Sequence, residues 1–439
     1  MGSYCSIHFD ELAICFSKSV VPDDWAALFQ ERDRREEVRH HPDAQENDKP
    51  QRFVEYVTGR DVMLRRLAIL GATDVAKRRA FDQWLSDERA RWREYSREWS
   101  KDDSPDKYAT QVFDGLNDLD YEGWCRLSAK ALRNRYDFLR SERIERELDP
   151  FQEQFYETDD SYIWFSEDGS HIGLRALLDA TPDTVEVRLD ISDLIDNGYI
   201  PEDEQICANA RVNAPHQVQS LAPTMIMAEG SSDLTALRLG LESLHPEMTE
   251  YFSFFNHAEL SVDGGAAYLV KFLKAIAAAR STSRILAIFD NDTTGTQACD
   301  HAKTLGLPEN IMVTRYPVSD IARSYPTIGP SGPAVLDVNG RAAGIELYLG
   351  RKALTYNGDL CPVRWTGFNA SAGEYQGEVV RKGEVLDAFR KNIAAAESAE
   401  AARASFPDLE RVWQHIFDLV EYNAGGVYLR MLERLRQKA

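Results

Sequence analysis

Two acidic stretches carry the residue types and spacing best suited to chemistry. Glu229-Gly230-Ser231-Ser232-Asp233 follows the apolar run 225–228, and Asp290-Asn291-Asp292 follows the apolar run 285–289. Each apolar run reads as a β-strand that delivers carboxylates at its carboxyl end, where open parallel α/β sheets place their ligands. Alternate side chains of an extended segment point the same way, so Asp290 and Asp292 are expected to face one ion together, with Glu229 completing the set. Crowded carboxylates repel one another unless a cation neutralises them, and hard oxygen donors select Mg²⁺, Mn²⁺ or Ca²⁺ over softer metals. Magnesium or manganese is the expected ion.

An isolated Asp-x-Asp reads more readily as a polar strand end. Here it comes with the apolar strand before Glu229, the Gly230 turn, Asp233 four residues on, and Gly295 shortly after Asp292. As a set these residues resemble the Toprim domain shared by topoisomerases, bacterial primases and OLD-family nucleases. Asp263-Gly264-Gly265, before a helix-like run from Ala266 to Arg280, resembles the glycine pair between the acidic motifs of OLD-type proteins. Ile345-Glu346-Leu347-Tyr348-Leu349 resembles their later acidic motif. The resemblance spans about residues 223–350. It implies an α/β, Rossmann-like, mainly parallel core and a divalent-metal-dependent nuclease.

For such a nuclease the expected ligands are Glu229, Asp233, Asp290, Asp292 and Glu346, holding a pair of Mg²⁺ or Mn²⁺ ions. Two ions together polarise the phosphate, activate water and relieve charge on the leaving oxygen. Asp290 and Asp292 would hold one ion, Glu229 and Asp233 the other, and Glu346 would close the site. Glu229, Asp290 and Asp292 are the expected catalytic carboxylates, and Glu229 is also the expected proton acceptor. OLD-type nucleases often place a basic residue after the last acidic motif to stabilise phosphate charge, and Lys382 occupies that place here.

The chain as a whole bounds these readings. At 439 residues and 43% hydrophobic it can bury a substantial core in two or three domains. No apolar run approaches the roughly 20 residues that span a bilayer, and the start lacks a signal-peptide layout, so a cytoplasmic protein is expected. Met1-Gly2-x-x-x-Ser6 satisfies a myristoylation pattern but has no polybasic neighbour. Six cysteines without a Cys-x-x-Cys pair suggest free thiols and no zinc knuckle.

A formal charge of −21 argues against coating nucleic acid by bulk electrostatics, so binding must be local. The candidate is the stretch 60–79, with Arg60, Arg65, Arg66, Lys77, Arg78 and Arg79 against Asp61 and Asp74. Arg65, Arg66, Arg78 and Arg79 are the expected nucleic-acid contacts; a solvated helix face is the plain alternative.

The elements that must position these residues divide the chain. Residues 4–16 read as a β-hairpin, 23–29 and 60–70 as helices, the second stopped by Gly71. Phe81, Trp84, Leu85, Trp92, Tyr95 and Trp99 recur at helical spacing and read as core. Lys101 to Pro105 reads as a linker, followed by helices near 107–116 and 121–148. Residues 162–190 turn to strand character. Val363 to Gly367 and Tyr375 to Glu378 read as a hairpin, Arg381-Lys382 opens a helix, and 409–435 is amphipathic helix. The expected domains are a mostly helical region over 1–150, a strand- and turn-rich connector over 151–222, the Toprim catalytic domain over 223–385 and a helical extension over 386–439.

Gly2-Ser3-Tyr4-Cys5-Ser6, Ser17-Lys18-Ser19 and residues 21–29 resemble the N-terminal domain family associated with HEPN and Toprim domains. Its mostly bacterial members commonly carry an RNase-like HEPN module or a Toprim core downstream, and such architectures are associated with anti-phage defence. A HEPN ribonuclease needs an Arg followed four to six residues later by a His. Arg35-x₄-His40 matches formally, but it lies in the very polar stretch 32–49, which reads as a loop.

No cysteine cluster suggests a primase zinc module, and the 18 tyrosines offer no distinctive topoisomerase nucleophile. A nuclease acting on DNA or RNA, transfer RNA included, is therefore expected. The alternatives are a non-catalytic or toxin-like regulatory subunit of a defence complex, or a HEPN-type ribonuclease. The chain has no Gly-x₄-Gly-Lys-Ser/Thr loop, so an ATPase would act in trans as a partner subunit. A homo-oligomer is compatible with the C-terminal helix, and no membrane partner is expected.

Overall fold

The structure, a computed structural model, describes residues 2–40, 49–98, 106–133, 148–156, 162–166, 170–213, 221–255 and 264–436. The chain is mixed α/β and forms two compact units. One is Met1–Ala214 with Ala424–Ala439, the other Pro215–Asn423.

In the first unit, β1 (Tyr4–Phe9) and β2 (Leu12–Lys18) form the hairpin that the alternation predicts, turning at Asp10 with φ 52°. They join β3 (Arg34–Arg39), β4 (Gln51–Gly59) and β5 (Glu186–Asp190) in an antiparallel sheet of order β2-β1-β5-β4-β3. Central β5 overturns the expected connector over 151–222. Its Val187 and Leu189 are buried, and an apolar strand face of this kind is stable only between partners, here β1 and β4.

The stretch around Arg35 is also a strand and not a loop. Its charges find opposite charges on β4: Arg52 pairs with Glu36 at 2.5 Å and Arg39 with Glu55 at 2.7 Å. A charge-rich sequence thus makes a stable edge strand, protected against further pairing. Arg35 pairs with Glu186 at 3.3 Å. The HEPN-like spacing to His40 therefore runs along and just beyond an edge strand.

The long helix Asp74–Glu98 buries Phe81, Leu85 and Trp92, and Phe81 meets Tyr121, Trp124 and Phe165 edge-on. The helical aromatics are core, as their spacing predicts, although Tyr95 stays exposed. Trp99, the linker 101–105 and Asp263 lie outside the described residues, as does most of 134–148.

The basic patch does not form as expected. Arg66 is fully buried, with its guanidinium 2.6 Å from Asp33 and donating to the Leu28 carbonyl. Arg78 pairs with Glu122 at 2.8 Å and lies over the Tyr121 ring. Lys77 is buried between Asp74 and Asp179, and Arg60 pairs with Asp183. Arg65 and Arg79 are half-buried and engaged in interactions of their own. Most of this positive charge is spent on carboxylates of the same unit, the exposed Asp74, Asp183 and Glu122 and the nearly buried Asp33 among them.

In the second unit, β6 (Thr224–Ala228), β7 (Phe252–Phe254) and β8 (Ile285–Phe289) precede the two-residue β9 (Asn291–Asp292) and β10 (Ile311–Arg315). Among the described residues, four of these form an all-parallel sheet of order β10-β8-β6-β7. The chain builds β6 and β7 on one side and then returns across β6 to add β8 and β10, so the strand order reverses between β6 and β8. Ligand crevices open at such a switch point, outside the carboxyl ends of the strands. The helices Ala266–Ala278 and Thr293–Lys303 share a core with this sheet through Leu269, Leu273, Phe289 and Cys299.

A second sheet follows, of order β12-β11-β16-β17. Its strands are β11 (Tyr325–Gly329), β12 (Gly332–Leu336), β16 (Val363–Asn369) and β17 (Glu374–Val379). Between them lie the short β13 (Ala342–Ala343), paired with β9, and the hairpin β14 (Thr355–Tyr356) and β15 (Asp359–Leu360). The strands β16 and β17 form the expected hairpin. The expected boundary at 386 does not hold: Trp413, on the helix Pro407–Arg436, is fully buried against the Phe252 ring of β7, so residues through Asn423 complete this unit's core. Among the described residues no helix is long and apolar enough to cross a membrane.

Candidate active site

Glu229 leaves the carboxyl end of β6 and Asp290 that of β8, on the two sides of the switch point. The backbone N–H of Asp290 donates to Glu229 Oε1 at 3.0 Å. The Glu229 carbonyl accepts from the Gly265 N–H at 2.7 Å, where Gly265 has φ +104°. A Cβ on Gly264 would stand 2.8 Å from that carbonyl. The glycine pair seen in sequence is thus the place where backbone passes against the Glu229 backbone, which side chains would prevent. Gly295 has the same logic: a Cβ there would meet the Asp290 carbonyl and Glu229 Oε1, the latter at 2.8 Å.

Asp233, in the first turn of the helix Ser231–Leu244, is 6% exposed and accepts from the Tyr316 hydroxyl at 3.3 Å. Glu346 lies in the 3₁₀ turn Ile345–Tyr348 and is 4% exposed. A Cβ on the preceding Gly344 would be 2.8 Å from Glu346 Oε2 and 3.5 Å from Asp290 Oδ2, so both carboxylates crowd the same glycine. Lys382 Nζ stands 3.7 Å from Glu346 Oε1 and 3.8 Å from Glu378 Oε2. Glu229, Asp233, Asp290, Glu346 and Lys382 therefore converge from separate elements.

Asp292 is placed differently from the expectation. It is the N-cap of the helix Thr293–Lys303; its Oδ1 accepts from the Gly295 N–H at 2.7 Å and its Oδ2 from the Gln376 side chain. Both oxygens are engaged by the chain, so Asp292 holds the helix start and the hairpin strand β17 beside Asp290.

Burial dominates the electrostatics. It pushes the Glu229 carboxyl up to about 7, with the charges of Asp292 and Asp233 adding to the effect. It pushes Asp233 to about 7 with help from Glu346, and raises Asp290 well above the ordinary carboxylate range with help from Asp233 and Glu229. Burial works against the Lys382 charge, but Glu346, Asp290, Glu378 and Asp233 outweigh it and raise its pKa. Perturbed carboxyls grouped at a crevice mark a functional site more often than a structural one.

Two observations bear on whether a divalent ion fits. Asp290 Oδ1 is buried without a hydrogen-bond partner, an arrangement that costs free energy unless a donor or cation meets it. The converging carboxylates offer oxygen donors, which suits Mg²⁺ or Mn²⁺. Among the described residues, however, no three His, Cys, Asp or Glu side chains are drawn to metal-ligand spacing. The donor chemistry fits; the mutual repulsion of uncompensated carboxylates favours a spread arrangement.

Sequence reasoning missed Tyr316, Gln376 and the pair Asn291 and Asn339, whose side chains bond at 3.1 Å. Tyr316 follows β10 as Glu229 follows β6, and the same rule of strand carboxyl ends would have found it. Gln376 carried no signal, because its role depends on β17 lying against the helix Thr293–Lys303. Arg65, Arg66, Arg78 and Arg79 belong to the other unit.

A mixed α/β protein with a carboxylate cluster at a parallel-sheet switch point is thus defined. Residues 1–214 match the family model described as HEPN/Toprim N-terminal domain 1, the same span that forms most of the first unit. No curated protein and no solved structure matches the chain.

Proposed function

We propose that the second unit is a Toprim-like, OLD-type nuclease core that hydrolyses phosphodiester bonds in a divalent-metal-dependent reaction, and that the protein is an effector of anti-phage defence. The observation that carries the reading is the convergence of Glu229 and Asp290 across the β6/β8 switch point, with Asp233 and Glu346 beside them. The match of the first 214 residues to a HEPN/Toprim N-terminal family supports the nuclease association and the defence role.

In this reading Asp290, with its unpartnered Oδ1, and Glu346 and Asp233 beside it are the main holders of Mg²⁺ or Mn²⁺. Bound ions supply polarisation of the phosphate and charge relief at the leaving oxygen. Asp292 contributes by fixing the helix start and β17. Glu229, with a proton affinity near neutrality, accepts a proton from the attacking water. Lys382 offers a fixed positive charge, held beside Glu346, to the developing phosphorane. Partial burial of the cluster strengthens each of these interactions.

The test is cleavage by the full-length protein of single-stranded, duplex, supercoiled and transfer-RNA substrates in Mg²⁺ or Mn²⁺, with and without chelator. Chelator-sensitive cleavage that is lost in Asp290→Asn supports the reading. Cleavage indifferent to chelation overturns it.

A further inference from the structure

The hairpin of β16 and β17 carries three aromatic rings that the fold does not bury. Phe368 is 57% and Tyr375 52% exposed, and half-buried Trp365 stands beside them. The Tyr375 ring centroid is 5.1 Å from that of Phe368 and 6.2 Å from that of Trp365, so the rings form one continuous surface. Large exposed aromatics cost solvation free energy, and a contiguous group of them marks a binding surface more often than an accident.

The hairpin that bears this surface is joined to the elements of the carboxylate cluster. The Tyr375 carbonyl accepts from Thr293 Oγ1 at 2.8 Å, and the next residue, Gln376, bonds Asp292 and accepts from the Thr294 N–H at 3.1 Å. The hairpin tip is tied to the same helix, with Asn369 donating to Gln297 at 2.9 Å and Gln297 to Ser371 at 3.0 Å. The hairpin that bears the rings is thus tied to the helix Thr293–Lys303, and Tyr375 is one residue from a contact to Asp292.

Charge distinguishes the occupant. Between Val363 and Val379 the charged residues are Arg364, Glu374 and Glu378. Glu374 pairs with Arg341 at 3.0 Å and Glu378 with Lys382 at 3.8 Å. Arg364 is exposed, sits in register opposite Glu378, and makes no ion pair among the described residues. At the carboxyl end of β10, the exposed Arg315 side chain donates to the Thr296 hydroxyl at 2.9 Å and has no ion pair among the described residues. Arg364 on this hairpin and Arg315 beside the helix Thr293–Lys303 thus have no carboxylate within ion-pair distance among the described residues, which suits a polyanion that also offers flat apolar faces.

We infer that Trp365, Phe368 and Tyr375 form a stacking platform for the unpaired bases of a single-stranded nucleic acid, with Arg364 on its phosphates, delivering that strand to the carboxylate cluster. Bases in a duplex are stacked on one another and cannot lie on such rings, whereas unpaired bases of any sequence can. The inference rests on the nuclease reading of the cluster and adds its substrate class.

The test is fluorescence anisotropy on the full-length Asp290→Asn protein in Mg²⁺, with labelled oligothymidylate, oligouridylate, an abasic strand of equal length and a blunt hairpin duplex. The two base-bearing single strands bind more tightly than the abasic strand and the duplex. Phe368→Ala and Tyr375→Ala each weaken them about tenfold or more while changing abasic and duplex binding little, and Phe368→Tyr retains the affinity. Arg364→Glu weakens all strands and lowers the salt dependence. Equal binding of base-bearing and abasic strands, or unchanged affinity in both alanine variants, overturns the inference. So does a loss of self-association in those variants with nucleic-acid binding unchanged, which makes the patch an interface between copies. Cleavage by the wild-type protein is read in parallel: platform-dependent binding without cleavage removes the nuclease reading and leaves the platform standing, and cleavage without platform-dependent binding does the reverse.

Discussion

The backbone N–H of Asp290 donates to the side chain of Glu229 at 3.0 Å, joining two residues 61 positions apart. This bond ties the carboxyl ends of β6 and β8 together where the strand order reverses. It makes Glu229 both a candidate reacting group and a structural acceptor, so the two roles need variants that separate them.

Glu229→Gln keeps an oxygen able to accept the Asp290 N–H, and Asp290→Asn keeps the shape of a carboxyl. Each is expected to lower cleavage, Glu229→Gln by about a hundredfold or more, the scale on which removing a general base acts. In metal-free buffer at pH 8 both variants are expected to melt at or above the wild-type temperature, because each removes a charge from a crowded group. Thermal melts beside the cleavage assay check this, and a large drop in melting temperature would reassign the residue to folding.

The raised carboxyls set a pH dependence for the metal-free protein. Glu229 and Asp233 move from 4.5 and 3.8 to about 7. A folded pKa above the unfolded one means that the folded state binds the proton more tightly. That stabilisation is fully present below about pH 4, and is lost as pH rises through about 7. The melting temperature is therefore expected to fall between pH 5 and pH 8 in chelator, less steeply in Asp290→Asn. Saturating Mg²⁺ opposes the fall, since an ion at a hundred times its Kd stabilises by about 2.7 kcal/mol. Calorimetry across this range, with and without Mg²⁺, measures both effects.

Asp292 distinguishes a cap from a ligand. Asp292→Ala removes the acceptor for Gly295 N–H and is expected to cost about 1 kcal/mol of stability, while Asp292→Asn or Ser retains a cap. If capping is its whole contribution, the Asn and Ser variants cleave nearly as well as the wild type. A loss of cleavage at full stability would show that its charge acts on the ion or substrate directly.

In the first unit, Arg66 is fully buried against Asp33. Asp33→Ala leaves that guanidinium without its counter-charge and is expected to destabilise the unit by about 3 to 5 kcal/mol, read by denaturant unfolding. Arg66→Met, which keeps the apolar stem and removes the charge, is expected to cost less. Neither variant alters nucleic-acid affinity at temperatures where the protein remains folded.

The strands that end in Glu229 and Asp290 were legible because an apolar run of four or five residues ending in acid is a local signal. The hairpins and the aromatic helix were legible for the same reason. The strand β3 was not, because a charged sequence has no periodicity of its own, and only Glu55 and Arg52 on β4 turn its charges into pairs. The place of β5 in the middle of the N-terminal sheet depended on partners more than a hundred residues away.

For the candidate site, the sequence by itself determined which carboxylates stand at strand ends and that glycines flank them. It also placed Lys382 after the last acidic motif. Tertiary structure alone decided what each side chain faces. It turned Asp292 to the helix cap and to Gln376, buried Arg66 away from any ligand, brought Tyr316 to Asp233, and left Phe368 and Tyr375 in solvent. The physical reason is that residue type and spacing specify a strand or a helix through near neighbours, whereas burial, hydrogen-bond partners and proton affinity depend on which distant elements close over a residue.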